Sequence, residues 1–583
     1  MSSCSNKRFW PRLLLSIFCT WAFNSLAAEF ITPITCAGST SVTNSSEETA
    51  SIPTDVITDI NQNSFNKNSP DKNNIEKINI LIHPVFDETN PDENNWLFNL
   101  VNKLHIDTHT YVIKDDLLFS EGDALDEKLL AESERILRTR RYFNTALITS
   151  QVDCNRKNVV DVSVHEVWTL VPEITYSHTG GNSNYGFGLH DSNFLGTGKT
   201  VNLSHSSTVL RTGDLFEYYD PNTGFLDSIF SFQYANNNDG KSQAIALIKP
   251  FIALDTEWAG GIIHENFTQE DTLYNAGKEV DRFSHRNSDQ LFFYGLKLNT
   301  ASRESVHRIS VGYSYADDNF SSVGIPPNNS ILVPEARQFS YPWVEYQHIY
   351  DGYIEAYNIQ QINRVEDINL GAQTRLRLGY TASKYDAYDK NFIYEAEYSQ
   401  GLKISEQQLL LATATGTGLY DGDRIYNNII QGKVSYHWQN FTRAQFFVNL
   451  SASRGVHLFA DLPLELGGDT GLRGYPIRYQ AGDHLELLTV EQRYFGEKEW
   501  FSLFHVGAAI FYDQGRVSGT SAIPQDQQGW MRDVGIGLRF SGTRTGNAEE
   551  GTHNVLHLDV AAPLDGSKDI AKVQWLVKVK KSF

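Results

Sequence analysis

The fold is decided by the end of the chain, Val573-Gln574-Trp575-Leu576-Val577-Lys578-Val579-Lys580-Lys581-Ser582-Phe583. Two kinds of side chain alternate along it: apolar at Val573, Trp575, Val577 and Val579, and polar at Gln574, Lys578 and Lys580. Such a period of two is typical of a β-strand that turns one face to an apolar medium. The stretch therefore predicts a strand at a boundary between apolar and aqueous surroundings.

The last residue of this strand is aromatic, which is typical of bacterial outer-membrane β-barrels. We therefore interpret Trp575, Val577, Val579 and Phe583 as a C-terminal barrel signal. On this segment alone, an ordinary amphipathic edge strand that stops at a phenylalanine is an equal alternative. The rest of the chain favours the barrel.

The composition fits a membrane barrel and excludes one class of partner. The 583 residues include 28 Tyr, 33 Phe and 10 Trp but only 2 Met. The formal charge of −21 argues against nucleic acid, because phosphate binding needs clustered lysine and arginine. No apolar run long enough for a membrane helix follows the N-terminal region. A β-barrel needs no such run, because only every second residue of a strand faces lipid.

The N-terminal region carries the features of an export signal. Positive charges at Lys7, Arg8 and Arg12 precede an apolar stretch over 13–23, and small residues follow up to Ala28. This pattern predicts a signal peptide over residues 1–28. Residues 29–77 are polar without an apolar period, and we expect a flexible tether there. Cys36 and Cys154 would remain after cleavage, either as a disulfide or as free thiols.

Residues 78–170 predict a small α+β module. A short apolar strand at 78–82 comes first, and helical segments are expected near Trp96–Leu104 and Tyr111–Phe119. The clearest helix starts at Asp126 as its N-cap, with leucines and isoleucines on one face. Strands Thr145–Val152 and Val159–Trp168 end the module. We summarise the order as β-α-α-β-β.

Residues 175–583 predict an all-β transmembrane barrel. Short alternating runs are separated there by Gly, Asn and Asp clusters, and no helical period remains. About sixteen antiparallel strands fit this length at roughly 25 residues for each strand with its connection. Counting runs directly gives about 12 to 14 before residue 460, whereas sixteen strands would place about eleven there. The strand number is therefore less certain than the fold class.

Polar residues near the C-terminus converge on the predicted lumen. Alternation places Phe511 and Asp513 on one face of their strand and Arg539 on the glycine face of the next. Glu491 and Arg493 share the inward face of an earlier strand. Arg473 lies in a glycine-rich loop, and an arginine in a confined lumen should bind a carboxylate through two hydrogen bonds.

These motifs resemble the superfamily of outer-membrane assembly and two-partner secretion barrels, which includes BamA and TamA. Leu472-Arg473-Gly474-Tyr475 is similar to the family's signature on its sixth extracellular loop. Phe511-Tyr512-Asp513-Gln514-Gly515 resembles the partner motif, and Gly535 to Phe540 resembles the strand that follows. The resemblance implies that Arg473 reaches Asp513 through the lumen and latches the loop. It also implies that residues 78–170 are a single polypeptide-transport-associated (POTRA) module. Lys581 departs from the family pattern, which has an apolar residue there.

The resemblance implies a non-enzymatic protein without a cofactor, placed in the outer membrane with its POTRA module in the periplasm. It would insert or translocate unfolded outer-membrane or secreted polypeptides. Its partners would be these clients, the lipid bilayer, and periplasmic chaperones or accessory proteins. A two-partner secretion translocator for one dedicated exoprotein is the main alternative. A passive diffusion pore or adhesin is a further alternative, and so is a barrel enzyme with a few active residues in its lumen or at its rim.

Overall fold

The computed structural model describes residues 74–153, 157–298, 304–324, 332–381, 390–544, 555–566 and 570–580. The expected signal peptide, nearly all of the expected tether, Cys36, Cys154 and Phe583 lie outside these ranges. No helix within them has the length and apolar character needed to cross a membrane.

An α/β module precedes the barrel. Its elements are β1 (Ile75–His83), α1 (Trp96–Leu104), α2 (Thr110–Asp115), α3 (Glu127–Thr139), β2 (Phe143–Val152) and β3 (Asn158–Glu166). The sheet has the order β1-β3-β2, with β1 parallel and β2 antiparallel to β3. The Asp126 side chain caps α3 by accepting a hydrogen bond from the Lys128 N–H at 3.0 Å. The three expected helical segments are all present, so the observed order is β-α-α-α-β-β and the two-helix summary is wrong. Strand β1 starts within the expected tether.

The core of the module lies between helix α3 and the sheet. Leu130 and Leu137 of α3 pack with Val160, Val162 and Val164 of the central strand β3. Leu130 and Leu137 are spaced so that they share one face of the helix, which explains why the helical period could be recognised in the sequence. Since β3 lies between the other strands, β2 is an edge of the sheet.

Within the described ranges, twenty antiparallel strands close into a barrel, so the expectation of sixteen is wrong. The first strands are β4 (Leu170–Thr179), β5 (Asn182–Asp191), β6 (Thr200–Ser207), β7 (Thr212–Asp220), β8 (Ile229–Asn237), β9 (Gly240–Lys249), β10 (Trp258–Asn275), β11 (Lys278–Leu298), β12 (Ser305–Ser322) and β13 (Arg337–Tyr350). The wall continues with β16 (Gln373–Thr381), β17 (Asn391–Ser405), β18 (Gln408–Tyr420), β19 (Ile425–Phe441), β20 (Ala444–Val456), β23 (His484–Trp500), β24 (Phe504–Ser518), β25 (Met531–Gly542), β26 (Val555–Pro563) and β27 (Gln574–Lys580).

The additional strands come from the first part of the wall. Strands β4 to β9 contain only 8 to 10 residues each, so more strands fit into the same length of chain. Fifteen described wall strands precede residue 460, and the direct count of 12 to 14 runs was nearer to this number than eleven. The direct count therefore fell short of the observed number by one to three strands, and the sixteen-strand expectation by four.

The wall separates an apolar exterior from a polar interior. Ile510 of β24 and Ile536 of β25 point outward and are 66% and 61% exposed. Their neighbours Asp513 and Arg539 point inward and are fully buried. An exterior of exposed aliphatic and aromatic side chains is the surface that a bilayer requires.

Hairpins that are not part of the wall lie at both ends of the barrel. Strands β14 (Tyr353–Tyr357) and β15 (Val365–Asn369) form a hairpin between β13 and β16. We call residues 351–371 the module-end hairpin, because this end of the barrel carries the module. Residues 457–483 join β20 to β23 at the far end and contain a short pair, β21 (Leu464–Leu466) and β22 (Gln480–Gly482). We call this segment the arginine loop.

The module is docked on its end of the barrel through polar contacts. The Leu254 N–H donates to Glu132 Oε1 of helix α3 at 2.7 Å. Lys128 Nζ lies 3.0 Å from Asp351 Oδ2, which connects α3 to the start of the module-end hairpin. The Trp168 N–H donates to the carbonyl of Arg544 at 2.9 Å. These contacts place the module directly against the barrel opening.

Candidate functional site

The arginine loop fills the lumen from the far end. Its residues Leu466, Leu472 and Tyr475 pack in one apolar cluster with Leu487 and Val517 of the wall. The backbone turns sharply just before the arginine at Gly471, whose φ of 136° favours glycine. The packing and the turn together direct the Arg473 side chain toward the wall.

Arg473 forms a two-pronged ion pair with Asp513 of strand β24. Its Nε and Nη2 donate to Asp513 Oδ2 and Oδ1 at 2.6 and 2.9 Å. Its Nη1 lies 2.9 Å from Glu491 Oε1, and its guanidinium lies 3.4 Å from the centre of the Phe511 ring. One arginine is therefore fixed by two carboxylates and one aromatic face.

Gly474 and Tyr475 add contacts to strand β25. The Gly474 N–H donates to Asp533 Oδ2 at 3.0 Å. A Cβ at Gly474 would lie 2.7 Å from the Asp533 Cβ and 3.1 Å from the Pro563 nitrogen, so only glycine fits. The Tyr475 hydroxyl is 3.1 Å from both the carbonyl and the N–H of Arg532. Burial raises the pKa of Tyr475 to about 12, so its hydroxyl stays protonated.

Further charges extend this cluster along the lumen wall. Arg493 Nε donates to Glu491 Oε2 at 2.8 Å, so Glu491 lies between two arginines. Arg539 Nη1 is 2.5 Å from Asp559 Oδ1, and Asp559 Oδ2 is 4.0 Å from Arg473 Nη1. Alternating charges of this kind offset the cost of burying each of them.

The structure places the predicted residues at different distances from Arg473. Asp513, Glu491 and Phe511 contact it directly, whereas Arg539 acts through Asp559. Gly515 lies beside the apolar part of the loop, where a Cβ would come within 3.0 Å of Leu466 Cδ2.

Sequence reasoning missed Asp533 and Asp559 as members of the site. Asp533 lies two residues before Gly535, on the same inward face as Arg539. Asp559 directly precedes the outward-facing Val560 in the next strand. The same alternation that selected Arg539 would therefore have found both carboxylates.

The described residues of the expected C-terminal signal lie on the outer face of the last strand. Trp575 is exposed, while the inward Leu576 packs with Phe511 and Ala561. The Trp575 ring stacks on the ring of His178 from strand β4 with the centroids 3.9 Å apart. Val577 and Val579 continue the outer face, and Phe583 lies outside the described residues.

The junction between β27 and β4, which we call the seam, is the weakest part of the wall. Among the described residues, Val577 and His178 are its only register partners, whereas other neighbouring wall strands share at least seven pairs. Among the described residues, strand β4 pairs with β5 alone from Leu170 to Ile174. Ile174 in this part is 87% exposed. Within the described ranges, this part of β4 is therefore a strand edge without a second partner strand in an otherwise closed wall.

The arginine loop contacts both sides of the seam. Gly468 approaches the turn after β4 so closely that a Cβ would lie 3.1 Å from the Gly180 Cα. On the other side, Lys578 Nζ of β27 donates to the Asp469 carbonyl at 3.3 Å. The latched loop and the seam are therefore parts of one site.

Comparisons with known proteins give structural likenesses only. No protein-family model matches the sequence, and no curated protein matches it. Similar solved structures include BamA from Haemophilus ducreyi lacking POTRA domains 1–3, with 11% identity, a TM-score of 0.37, and 86% of this chain and 84% of that chain covered. CdiB from Acinetobacter baumannii has 13% identity and a TM-score of 0.40, with 87% and 73% covered. CdiB from Escherichia coli has 12% identity and a TM-score of 0.43, with 88% and 77% covered. The chain thus has BamA and CdiB barrels among its structural neighbours.

Proposed function

We propose that this protein is an outer-membrane barrel that inserts or translocates polypeptide chains, and that client strands enter at the seam. The observation that carries the proposal is that the described residues of β27 and β4 share a single register pair. It acts without a cofactor and is not an enzyme. The lipid bilayer and unfolded polypeptides are its partners.

The physical chemistry of the seam favours strand exchange. Backbone N–H and C=O groups have no water to bond with inside a bilayer, so every unpaired group there is costly. Among the described residues, no strand pairs with the seam side of β4 from Leu170 to Ile174, so the backbone groups there are available to a client strand. A client strand that pairs with this edge satisfies them, and the exchange needs no other source of energy.

The remaining parts of the molecule suit this task. The module lies at one barrel opening, and we assign that end to the periplasm, where unfolded clients and any chaperones or accessory proteins would arrive. The ion pairs of Arg473 keep the arginine loop in the lumen, so the membrane stays sealed during exchange. A lumen filled in this way argues against a passive pore.

A disulfide across the seam tests the proposal. Val577 and His178 face each other in antiparallel strands, where the Cα distance suits a disulfide. The double variant Val577→Cys/His178→Cys is made in a Cys36→Ser/Cys154→Ser background and reconstituted in liposomes. The probe is a small outer-membrane β-barrel polypeptide kept unfolded in urea. Oxidation should abolish its assisted insertion, and reduction should restore it.

The matched control keeps the thiol at position 577 and moves the partner thiol from β4 to β26, the strand on the other side of β27. Leu558 faces Val577 across the β26–β27 pair, so Leu558→Cys/Val577→Cys should form a disulfide without closing the seam. Insertion that survives oxidation in both variants would contradict entry at the seam. If the probe is instead released through the lumen, the protein belongs with the secretion translocators.

A further inference from the structure

The module-end hairpin occupies the barrel opening that faces the module. Ile362 at its tip is fully buried and packs against Phe495 and Ala509 of the lumen wall. Arg493 Nη1 donates to the Ile359 carbonyl at 3.4 Å, and Asn363 Nδ2 donates to the Gly496 carbonyl at 2.6 Å. The tip of the hairpin therefore enters the lumen from the end opposite to the arginine loop.

The tip is held in shape by a buried carboxylate. Glu366 accepts hydrogen bonds from the N–H groups of Ile359, Gln360 and Gln361 at 2.8 to 3.0 Å. A carboxylate bound by three backbone donors fixes the turn that carries Ile362. The hairpin consequently enters the lumen as a preformed unit.

The same hairpin is anchored to the edge strand β2 of the module. Arg364 Nη2 donates to both the backbone carbonyl and the side-chain oxygen of Asn144 at 2.6 Å. Asp367 Oδ2 lies 3.8 Å from Arg138 Nη1 of helix α3. The Arg135 guanidinium lies 4.9 Å from the centre of the Tyr353 ring.

Side chains form hydrogen bonds with the backbone groups that β2 directs away from the sheet. Arg364 binds the carbonyl of Asn144, and Arg138 Nε donates to the carbonyl of Ala146 at 2.9 Å. The Ile148 N–H donates to Glu134 Oε2 at 2.6 Å. These residues are spaced by two, as are the groups along one edge of a strand. The edge is therefore covered by side chains rather than by another strand.

A cleft separates the module from the hairpin along this edge. It has a volume of about 360 Å³ and is lined by Ile148 and Ser150 of β2, by helix α3, and by Tyr353 and Asp367 of the hairpin. The cleft gives an extended chain access to the edge without prior movement of the barrel. Nothing but side chains would have to leave the edge for a strand to bind.

We infer that the module-end hairpin is a plug whose release is coupled to client binding: an extended polypeptide strand that adds to β2 displaces Arg364 and so frees the hairpin from the lumen. This inference rests on the proposed function for the nature of the client. The backbone hydrogen bonds of an added strand replace the side-chain bonds that the edge loses. Because Arg364 belongs to the hairpin, the replacement removes its anchor.

The test measures the accessibility of the hairpin tip. An Ile362→Cys variant is made in the Cys36→Ser/Cys154→Ser background and treated in liposomes with a membrane-impermeant maleimide. Adding Arg364→Ala should raise the labelling rate about tenfold or more, as expected when a charge-assisted hydrogen bond is lost. Adding the unfolded outer-membrane polypeptide as probe should raise it as well. Heat-modifiable gel mobility verifies that each variant is folded.

Arg443→Ala serves as the matched control. Arg443 lies at the same end of the barrel and pairs with Glu497, and the described contacts of the hairpin do not include it. Its substitution should leave labelling unchanged. Equal labelling of the Arg364→Ala variant and its parent, or no response to the unfolded polypeptide, would overturn the inference. Failure of the seam disulfide to block insertion would contradict the proposed function instead, so the two failures are distinguishable.

Discussion

Arg473 shows what a buried ion pair needs in order to persist. Removing an arginine and a carboxylate from water costs several kcal/mol, and only good geometry recovers it. Here the fork of the guanidinium matches both oxygens of Asp513, while Glu491 and the Phe511 ring occupy its other sides. The cluster is therefore sensitive to the loss of any one member, because the others would remain buried without compensation.

The Arg473→Ala variant should lose about 3–5 kcal/mol in the free energy of unfolding, because Asp513 would remain buried and charged. Urea unfolding of the protein refolded in lipid measures this loss. Asp513→Ala should be affected to a similar extent, and the double variant should lose less than the sum. Arg424→Ala, at an exposed far-end turn, is the control and should stay within about 0.5 kcal/mol of the parent.

The Gly474→Ala variant should be destabilised by about 1–3 kcal/mol, because its Cβ would overlap Asp533. The same urea titration measures the change. Gly529→Ala is a suitable comparison, since a Cβ there meets no atom within 4 Å. Similar effects of both substitutions would mean that the glycine is not needed for close packing of the loop.

At the scale of elements, the sequence predicted the helices and strands whose residue pattern depends only on residues nearby in the chain. Helix α3 has an N-cap at Asp126 and a single apolar face, so its position could be predicted. The module-end hairpin was not predicted, because its strands have five residues each and it is stabilised by contacts with distant β2 and β23.

The contact between the hairpin and the module should depend on pH. Burial raises the pKa of Asp367 to about 7, since Arg138 and Arg135 offset the loss of water only in part and Glu355 adds repulsion. A carboxyl whose pKa is raised by docking favours the docked state while it is protonated. This contribution is complete when the pH is below the ordinary pKa of the group, and it is lost as the pH rises through about 7. Labelling of the Ile362→Cys variant should therefore increase between about pH 5 and pH 8.

The labelling rates are corrected for the pH dependence of thiol reactivity itself, which is measured with the Glu406→Cys variant. Residue 406 is an exposed site in a turn at the module end. Asp367→Asn should lower labelling at the alkaline end of the range, because an amide cannot ionise. An unchanged pH profile in that variant would show that Asp367 does not control docking.

At the scale of the whole molecule, the two occupants of the lumen are joined. Arg473 binds Glu491, Glu491 binds Arg493, and Arg493 reaches the carbonyl of Ile359 in the hairpin. The closed state thus rests on two plugs in series. The sequence motifs indicated the plug that carries Arg473, but they could not indicate the strand number, because alternation within a strand does not identify its neighbours.

Single-channel conductance in planar bilayers should reveal the two plugs. Arg473→Ala and Arg364→Ala should each leave the current small, since the remaining plug still limits flow. The double variant should conduct in a large step. Arg424→Ala/Arg443→Ala, which removes the same number of arginines, should behave like the parent. A large steady current in the parent would contradict both plugs and favour a passive pore.

The short first strands have a consequence for the surrounding lipid. Strands β4 to β9 hold 8 to 10 residues, whereas β10 to β12 hold 18 to 21. At about 3.3 Å per residue and a tilt of about 40°, nine residues rise only about 23 Å, less than the roughly 30 Å of hydrocarbon in a bilayer. Lipid beside these strands must thin to match them. Because β4 is one of these short strands and borders the seam, an incoming strand has to cross a bilayer that is thinned on that side.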